Sequence, residues 1–151
     1  MKWNELAEQQ CSIARSVAVI GDRWTLMVLR DCFLGVRRFE AFQERLGISR
    51  TIVADRLKHL VGEGVLKRVP YQDNPARFEY RLTEKGMELH PVVMAIVRWG
   101  DRHYAGPAGP PLLHRHKACG DDFHAVQTCS ECGEVVDARS VETRPGLGAA
   151  E

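Results

Sequence analysis

Residues 46–63 read LGISRTIVADRLKHLVGE, and this stretch decides the fold. Gly47 is typical of the end of one helix, and Ser49 is a good N-cap for the next. From residue 50 to about residue 63, apolar side chains recur at spacings of three and four: Val53, Leu57, Leu60 and Val61. The pattern predicts a short turn followed by a helix that buries one face.

The opposite face of this helix is polar and carries positive charge. It presents Thr51, Ile52, Asp55, Lys58 and His59, with Arg50 and Arg56 near its borders. A helix with one apolar and one cationic face is typical of an element that packs on a core and keeps its other side free.

Three helices are expected before this stretch. The first contains Ala14, Val17, Ala18 and Ile20 and stops at Gly21. The second covers residues 24–34, is apolar on most sides and ends at Gly35, so it belongs in the middle of the domain. The third is short, with Phe39, Phe42 and Leu46, and closes at Gly47.

A β-hairpin is expected after it. Residues 65–71 have strand-like composition, Asp73-Asn74-Pro75 is turn chemistry, and residues 78–82 alternate with period two. Thr83-Glu84 then opens a long helix, interrupted or kinked at Pro91. Two helices joined by a short turn and followed by a hairpin predict an α+β fold, a winged helix-turn-helix.

Composition limits the class of protein. The chain has 151 residues, 44% of them hydrophobic and 27% charged, which is enough for one domain with a core. It has no apolar run of the roughly 20 residues that span a bilayer, and residues 1–5 do not introduce an apolar signal segment. We therefore expect a cytoplasmic protein without a membrane partner, whose five cysteines are thiols or metal ligands.

Charge is distributed unevenly along the chain. The net charge is +1, but residues 37–85 carry 11 basic and 7 acidic side chains, whereas residues 105–151 carry 4 and 7. A basic segment favours a polyanion, although an ordinary solvated face has the same composition.

The winged helix-turn-helix order makes double-stranded DNA the expected partner, because the major groove admits an α-helix. Near the start of that helix, Ser49, Arg50 and Thr51 supply donors for phosphates and bases, and Ile52 can meet a thymine methyl group. Arg56 and Lys58 can pair with the DNA backbone, and Arg77 at the hairpin tip can reach the minor groove. The alternative is that these cations only solvate a small α+β domain.

Several spaced motifs resemble the HxlR family of bacterial transcription regulators, relatives of the MarR type, over about residues 11–104. They are Cys11-Ser12-Ile13-Ala14-Arg15, Gly21-Asp22-Arg23-Trp24, Arg37-Arg38-Phe39, Gly47-Ile48-Ser49, Arg56-Leu57-Lys58, Glu63-Gly64, Arg77-Phe78-Glu79-Tyr80 and Leu82-Thr83-Glu84-Lys85-Gly86. The resemblance implies a homodimeric, DNA-binding transcriptional regulator without catalytic activity.

A homodimer would place two recognition helices on a pseudo-palindromic operator, about one helical turn apart. The helix after Pro91 is too apolar to face water, with Val92, Val93, Ile96, Val97 and Trp99. We expect it to pack against its symmetry mate and the N-terminal segment holding Trp3 and Leu6. The alternative is that it closes the core of its own chain.

The sequence also bears on two other classes of function. An enzyme is not expected, because phosphate-binding glycine loops, nucleophile elbows and zinc-protease motifs are missing from the sequence, and His90 and His103 sit beside apolar residues. A winged helix can also serve as a protein-interaction module without specific DNA binding. The operator, the regulated genes, the direction of regulation and any effector stay open.

The domain organisation follows from a Gly- and Pro-rich stretch at residues 106–111. We expect a DNA-binding and dimerisation domain over 1–104, a linker over 105–113, a small zinc-ribbon-like tail over 114–143 and a frayed end over 144–151. In the tail, His116-x2-Cys119-Gly120 and Cys129-x2-Cys132-Gly133 have the spacing of a structural Cys3His zinc site. His114 and His124 compete as the nitrogen ligand, and a metal-free hairpin is the alternative.

Cys11 is a candidate redox sensor. Several HxlR regulators sense oxidants or electrophiles through a cysteine just before the first core helix, and Cys11 matches that position. A helix start and Arg15 one turn later would stabilise a thiolate there. The alternative is a thiol buried against the helix of Trp24, which is what we expect for Cys32 between Leu29 and Phe33.

Overall fold

The computed structural model describes residues 2–149, which form seven α-helices, two strands and one short 3-10 turn at Leu147–Ala149. The helices are α1 (Trp3–Leu6), α2 (Ser12–Ile20), α3 (Arg23–Phe33), α4 (Phe39–Leu46), α5 (Arg50–Gly62), α6 (Glu84–Met87) and α7 (His90–Tyr104), and the strands are β1 (Leu66–Asp73) and β2 (Ala76–Leu82). This order confirms the predicted winged helix-turn-helix. The chain divides into two compact units, one ending at Val93 and one beginning at Met94.

The core of the first unit lies between α3, α4 and α5 and the start of β1. Its fully or almost fully buried apolar side chains are Val28, Leu29, Phe42, Val53, Leu57, Leu60, Val65 and Leu66. The predicted apolar stripe of α5 supplies three of these residues. Burial of such side chains is the main favourable term in folding, at roughly 1.5–3 kcal/mol for each Val, Leu or Phe.

An ion pair joins α3 to α4 at the edge of this core. Asp31 is fully buried, and its carboxylate lies 2.7 Å from a guanidinium nitrogen of Arg30 and 3.3 Å from Nε of Arg45. A buried carboxylate without partners would be costly, so the two half-exposed arginines hold the helices in one arrangement.

Local signals at the helix ends have the roles that the sequence indicates. Gly47 ends α4 in the left-handed conformation at φ 63°, and the Ser49 side chain accepts a hydrogen bond from the Ile52 backbone amide at 3.3 Å. At α3, the Asp22 carboxylate accepts hydrogen bonds from the amides of Trp24 and Thr25. The turn between α4 and α5 therefore spans three residues, 47–49.

The hairpin forms an antiparallel pair from Leu66↔Leu82 to Asp73↔Ala76, slightly longer than predicted. A register shift between Pro70 and Gln72 leaves Tyr71 as the extra residue of a bulge. The Tyr80 backbone amide donates to the Arg37 carbonyl at 2.7 Å, which ties the hairpin to the chain just before α4.

One expectation about the helices after the hairpin differs from the structure. The single kinked helix from residue 83 is two helices, because α6 ends at Met87 and Pro91 lies in the first turn of α7, where its missing N–H costs nothing. The two compact units divide between Val93 and Met94, within α7. The last turns of α7 belong with the segment that follows, since the Arg98 guanidinium donates to the Ala125 carbonyl.

Gly86 provides a test of the packing between α6 and β1. A Cβ atom at this position would lie 2.2 Å from the Val65 carbonyl oxygen, whereas a Cβ at Gly62 would meet nothing within 4 Å. Gly86→Ala is expected to lower the free energy of unfolding by roughly 1–3 kcal/mol through overpacking. Gly62→Ala, the matched control, is expected to be neutral or to stabilise by up to about 1 kcal/mol. Thermal and urea unfolding of both variants measures this, and equal stabilities would contradict the close approach.

Candidate nucleic-acid interface

The first turn of α5 is the exposed end of the helix-turn-helix. Ser49, Arg50 and Thr51 are all exposed, and they lie where the turn after α4 meets the start of α5. The first backbone N–H groups of a helix and these side chains are hydrogen-bond donors for phosphates and base edges. The structure therefore brings together the three residues that the sequence assigns to the start of the recognition helix.

Arg50 is held by a neighbouring ring. Its guanidinium carbon lies 4.5 Å from the centroid of the Phe39 ring at the start of α4. A cation over an aromatic face gains about 0.5–1 kcal/mol at an exposed site and loses some rotamer freedom. The stacked guanidinium keeps its N–H donors at the edge of α5.

The outward face of α5 continues from Thr51 to Asp55 and Lys58, all of them exposed. These positions follow one another at spacings of four and three, so they lie on one side of the helix. Ile52 differs from them because it is half-buried, which leaves only part of its side chain available for a thymine methyl group. The acidic Asp55 lies between Thr51 and Lys58, and a carboxylate there can accept from a cytosine amino group.

Two polar residues of α5 face neighbouring helices. The Arg56 guanidinium lies 3.6 Å from the Asp22 carboxylate that caps α3, and the Arg56 side chain is about one-third exposed. The His59 ring nitrogen Nε2 lies 2.8 Å from the Val19 carbonyl of α2. The sequence placed Arg56 among the DNA-backbone contacts and His59 on the polar face, whereas their partners here lie within the protein.

The hairpin carries a group of cations that extends beyond the predicted Arg77. Arg77 itself is exposed near the turn, paired in register with Gln72. The guanidinium of Arg68 lies 4.1 Å from the Phe78 ring centroid, and that of Arg38, which precedes α4, lies 4.3 Å from the Tyr71 ring centroid.

Sequence reasoning missed Arg38 and Arg68 as site candidates. The adjacent pair Arg37-Arg38 was visible as a motif. Assigning this pair to the interface from sequence would have required knowledge of the bulge at Tyr71, and that bulge depends on strand register.

An apolar stripe is exposed along α7. Val92, Ile96 and Trp99 recur at spacings of four and three, with Ile96 49% and Trp99 58% exposed. The Trp99 ring contacts the rings of His103 and Tyr104 at centroid distances of 5.4 and 5.2 Å. Contiguous exposed apolar side chains of this size mark an interaction surface.

The cysteines of the first unit have different environments. Cys11 is exposed and is the N-cap residue of α2. Cys32 packs against the core, and burial, with a smaller contribution from the charge of Asp31, raises its pKa to about 12. A thiol with so high a pKa holds almost no nucleophilic thiolate at neutral pH.

The four predicted zinc ligands form two pairs. The Cys119 sulfur lies 3.5 Å from Nδ1 of His116, and the Cys132 thiol is close enough to Cys129 to contribute to lowering the pKa of Cys129. Backbone amides of Cys132 and Glu131, together with that thiol, lower the pKa of Cys129. Within residues 2–149, no three His, Cys, Asp or Glu side chains are gathered closely enough to hold a metal ion. The structure therefore brings each pair together and leaves the pairs apart.

The helix-turn-helix geometry agrees with a family comparison. A family model described as the HxlR-like helix-turn-helix matches residues 19–107, which is more than half of the chain. The chain belongs to this family. An uncharacterized HTH-type transcriptional regulator of Mycobacterium tuberculosis (strain ATCC 25618 / H37Rv) is 43% identical over 137 residues, covering 91% of this chain and 87% of the relative.

Solved structures agree with membership in the HxlR-like family. The crystal structure of PA1607, named as a candidate transcription factor, superposes with a TM-score of 0.84 at 32% identity and covers 94% of this chain and 99% of that one. The oxidized form of the redox regulator HypR matches with a TM-score of 0.58 at 28% identity, covering 64% of this chain and 100% of that chain. The match to PA1607 therefore extends into the tail, whereas the match to HypR does not depend on the tail.

These findings confirm the predicted class of function. The HxlR-like chain is a DNA-binding transcriptional regulator and not an enzyme. Among the helices that the structure describes, none is long and apolar enough to cross a bilayer.

Proposed function

We propose that this HxlR-like protein is a sequence-specific regulator that binds a pseudo-palindromic operator as a homodimer. The observation that supports the proposal best is the exposed start of α5. Ser49, Arg50 and Thr51 are exposed there, while the other side of the helix is fixed in the core. A helix held in this way presents its first turn to the major groove.

Direct base contacts belong to the first turns of α5 in this proposal. Thr51 and Arg50 offer donors to base edges, and the exposed part of Ile52 contacts a thymine methyl group. Ser49 is already engaged as the cap of α5 through its Oγ, so its free donor is the hydroxyl hydrogen, which is directed at a phosphate.

Contacts to the DNA backbone come from both ends of the motif. Lys58 lies two turns below Thr51 on the outward face and has no ion-pair partner among the described residues. Arg77 near the hairpin turn would reach the neighbouring minor groove, and Arg68 adds a second cation on β1. Arg56 acts indirectly, because its pairing with Asp22 holds α5 against the start of α3.

The homodimer is proposed to form through the exposed stripe of α7. Val92, Ile96 and Trp99 would pack against the same stripe of a second copy and against its exposed Trp3. A homodimer carries two copies of α5, which a pseudo-palindromic site requires.

A second candidate function is redox sensing through Cys11. Its support is the exposure of this thiol at the start of α2, in contrast to the buried Cys32, and the match to HypR, which is named a redox regulator. Oxidation would join Cys11 of two chains by a disulfide and change the spacing of the recognition helices.

The first test is of base readout. Duplexes selected from a random library by the parent protein are expected to contain two half-sites about one helical turn apart. Thr51→Ala and Arg50→Ala should lose about 1–3 kcal/mol of discrimination at one base pair in each half-site. Lys58→Ala should weaken all duplexes alike and lower the salt slope by about one phosphate contact. Arg144→Ala, which removes an exposed charge near the chain's end, is the control. Selection of unrelated sequences without a dyad would contradict the proposal.

The second test is of the dimer. Trp99→Asp should convert the protein to a monomer, because a carboxylate would be buried unpaired in a symmetric apolar interface. Light scattering at micromolar concentration measures the mass, and circular dichroism checks that the helices remain. Leu147→Asp introduces the same charge at an exposed apolar residue outside α7 and should leave the mass unchanged. A monomeric parent protein would be the opposing result.

The third test is of Cys11. Diamide takes two electrons and two protons from a pair of Cys11 thiols, is reduced to its hydrazine and leaves an inter-chain disulfide. Operator affinity should fall and then recover with dithiothreitol. Cys11→Ser should abolish the response, whereas Cys32→Ser should respond like the parent, since the raised pKa of Cys32 keeps that thiol protonated. An unchanged response in Cys11→Ser would exclude this thiol as the sensor.

A further inference from the structure

The second unit contains two turns that repeat each other at an offset of 13 residues. The first runs through His116, Cys119 and Gly120, and the second through Cys129, Cys132 and Gly133. Gly120 and Gly133 have φ values of 78° and 77°, a left-handed conformation that favours glycine.

Their backbone hydrogen bonds are equivalent, pair by pair. The amides of Gly120 and Gly133 donate to the carbonyls of His116 and Cys129 at 2.8 and 2.9 Å. The amides of His116 and Cys129 donate to the carbonyls of Asp121 and Glu134 at 2.9 and 2.8 Å, and those of Phe123 and Val136 to His114 and Gln127 at 2.8 and 3.0 Å. Bridges join Arg115 to Asp122 and Thr128 to Val135. Two short hairpins are thus built around the same turn, each with a donor pair at its tip.

The spacing of the first pair fits zinc. Zinc binds nitrogen at about 2.0 Å and sulfur at about 2.3 Å, so two ligands at the tetrahedral angle have their N and S atoms about 3.5 Å apart. Nδ1 of His116 and Sγ of Cys119 are separated by 3.5 Å. In the second turn, Cys129 and Cys132 occupy the positions that His116 and Cys119 have in the first, so they form the equivalent ligand pair.

The segment around these turns has no apolar core. From residue 95 to residue 149 no side chain is buried, and Phe123, Val126 and Val135 are exposed. A segment of this size needs another stabilising element, for which a structural metal is a common solution.

We propose that one zinc ion is bound by His116, Cys119, Cys129 and Cys132 and joins the two turns. Each turn supplies one edge of the tetrahedron. Because no group of three such ligands is gathered among residues 2–149, binding has to draw the two turns together. The three thiols lose their protons on binding, and four protein ligands leave no open position, so the site is structural and not catalytic.

The repeat also selects the nitrogen ligand among three histidines. His116 occupies the position that Cys129 has in the second turn, whereas His114 corresponds to Gln127 and His124 to Asp137. Only His116 therefore lies at the tip of a turn beside a cysteine.

Metal analysis of the full chain tests the site. Reduced protein from zinc-supplemented cells is expected to hold about one zinc per chain after gel filtration, and Cys119→Ser, Cys132→Ser and His116→Ala are each expected to lose most of it. His116→Cys should retain the metal, because a fourth thiolate replaces the imidazole. His114→Ala, His124→Ala and Cys11→Ser are controls that should bind zinc like the parent.

A second readout follows the approach of the turns. Zinc should slow tryptic cleavage after Arg115 and Lys117, and a chelator should restore it, while the circular dichroism of the helices stays constant. A parent protein with no more zinc than Cys132→Ser would overturn the proposal. So would equal cleavage with and without zinc, or retention of zinc in His116→Ala together with its loss in His114→Ala. None of these outcomes depends on DNA binding.

Discussion

The burial of one side of α5 is the constraint on which the rest of the molecule depends. Val53, Leu57 and Leu60 have no exposed area, so the rotation of the helix about its own axis is fixed by close packing. The side chains opposite that stripe must then point away from the core. Thr51 and Lys58 are exposed for this reason, and the outward face of α5 is set by the same residues that stabilise the fold.

Local signals made the elements of the first unit predictable from sequence. Gly47 and Ser49 end and begin helices through their own backbone conformation and hydrogen bonds. The turn at Asn74-Pro75 separates two runs of strand composition. These elements can therefore be predicted without knowledge of contacts between residues that are distant in sequence. The break between α6 and α7 was less accessible. Residues 83–104 have helical composition throughout, and Gly86 of α6 packs closely against the Val65 backbone, which is far away in sequence.

The candidate site was predictable as a face and not as a set of contacts. Helical periodicity predicts which residues of α5 face away from the core. For residues at the border between the two faces, the neighbouring helices determine what each side chain contacts. Arg56 and His59 meet α3 and α2, and this requires knowing where those helices pass. Arg38 illustrates the reverse case, since a residue before α4 reaches the hairpin, where its guanidinium lies over the Tyr71 ring at the bulge and 3.8 Å from the Glu79 carboxylate.

The tail shows which structural features form through local hydrogen bonds alone, without an apolar core. Each turn orders its own ligand pair through hydrogen bonds that span at most nine residues, and this is why the pairs form independently. Joining the pairs is a different matter, because it costs chain entropy that no buried side chain between residues 95 and 149 offsets. The first unit does not face this difficulty, since it has a cluster of buried apolar side chains within residues 28–66. A metal ion would therefore act on the stability of the tail and leave that core unaffected.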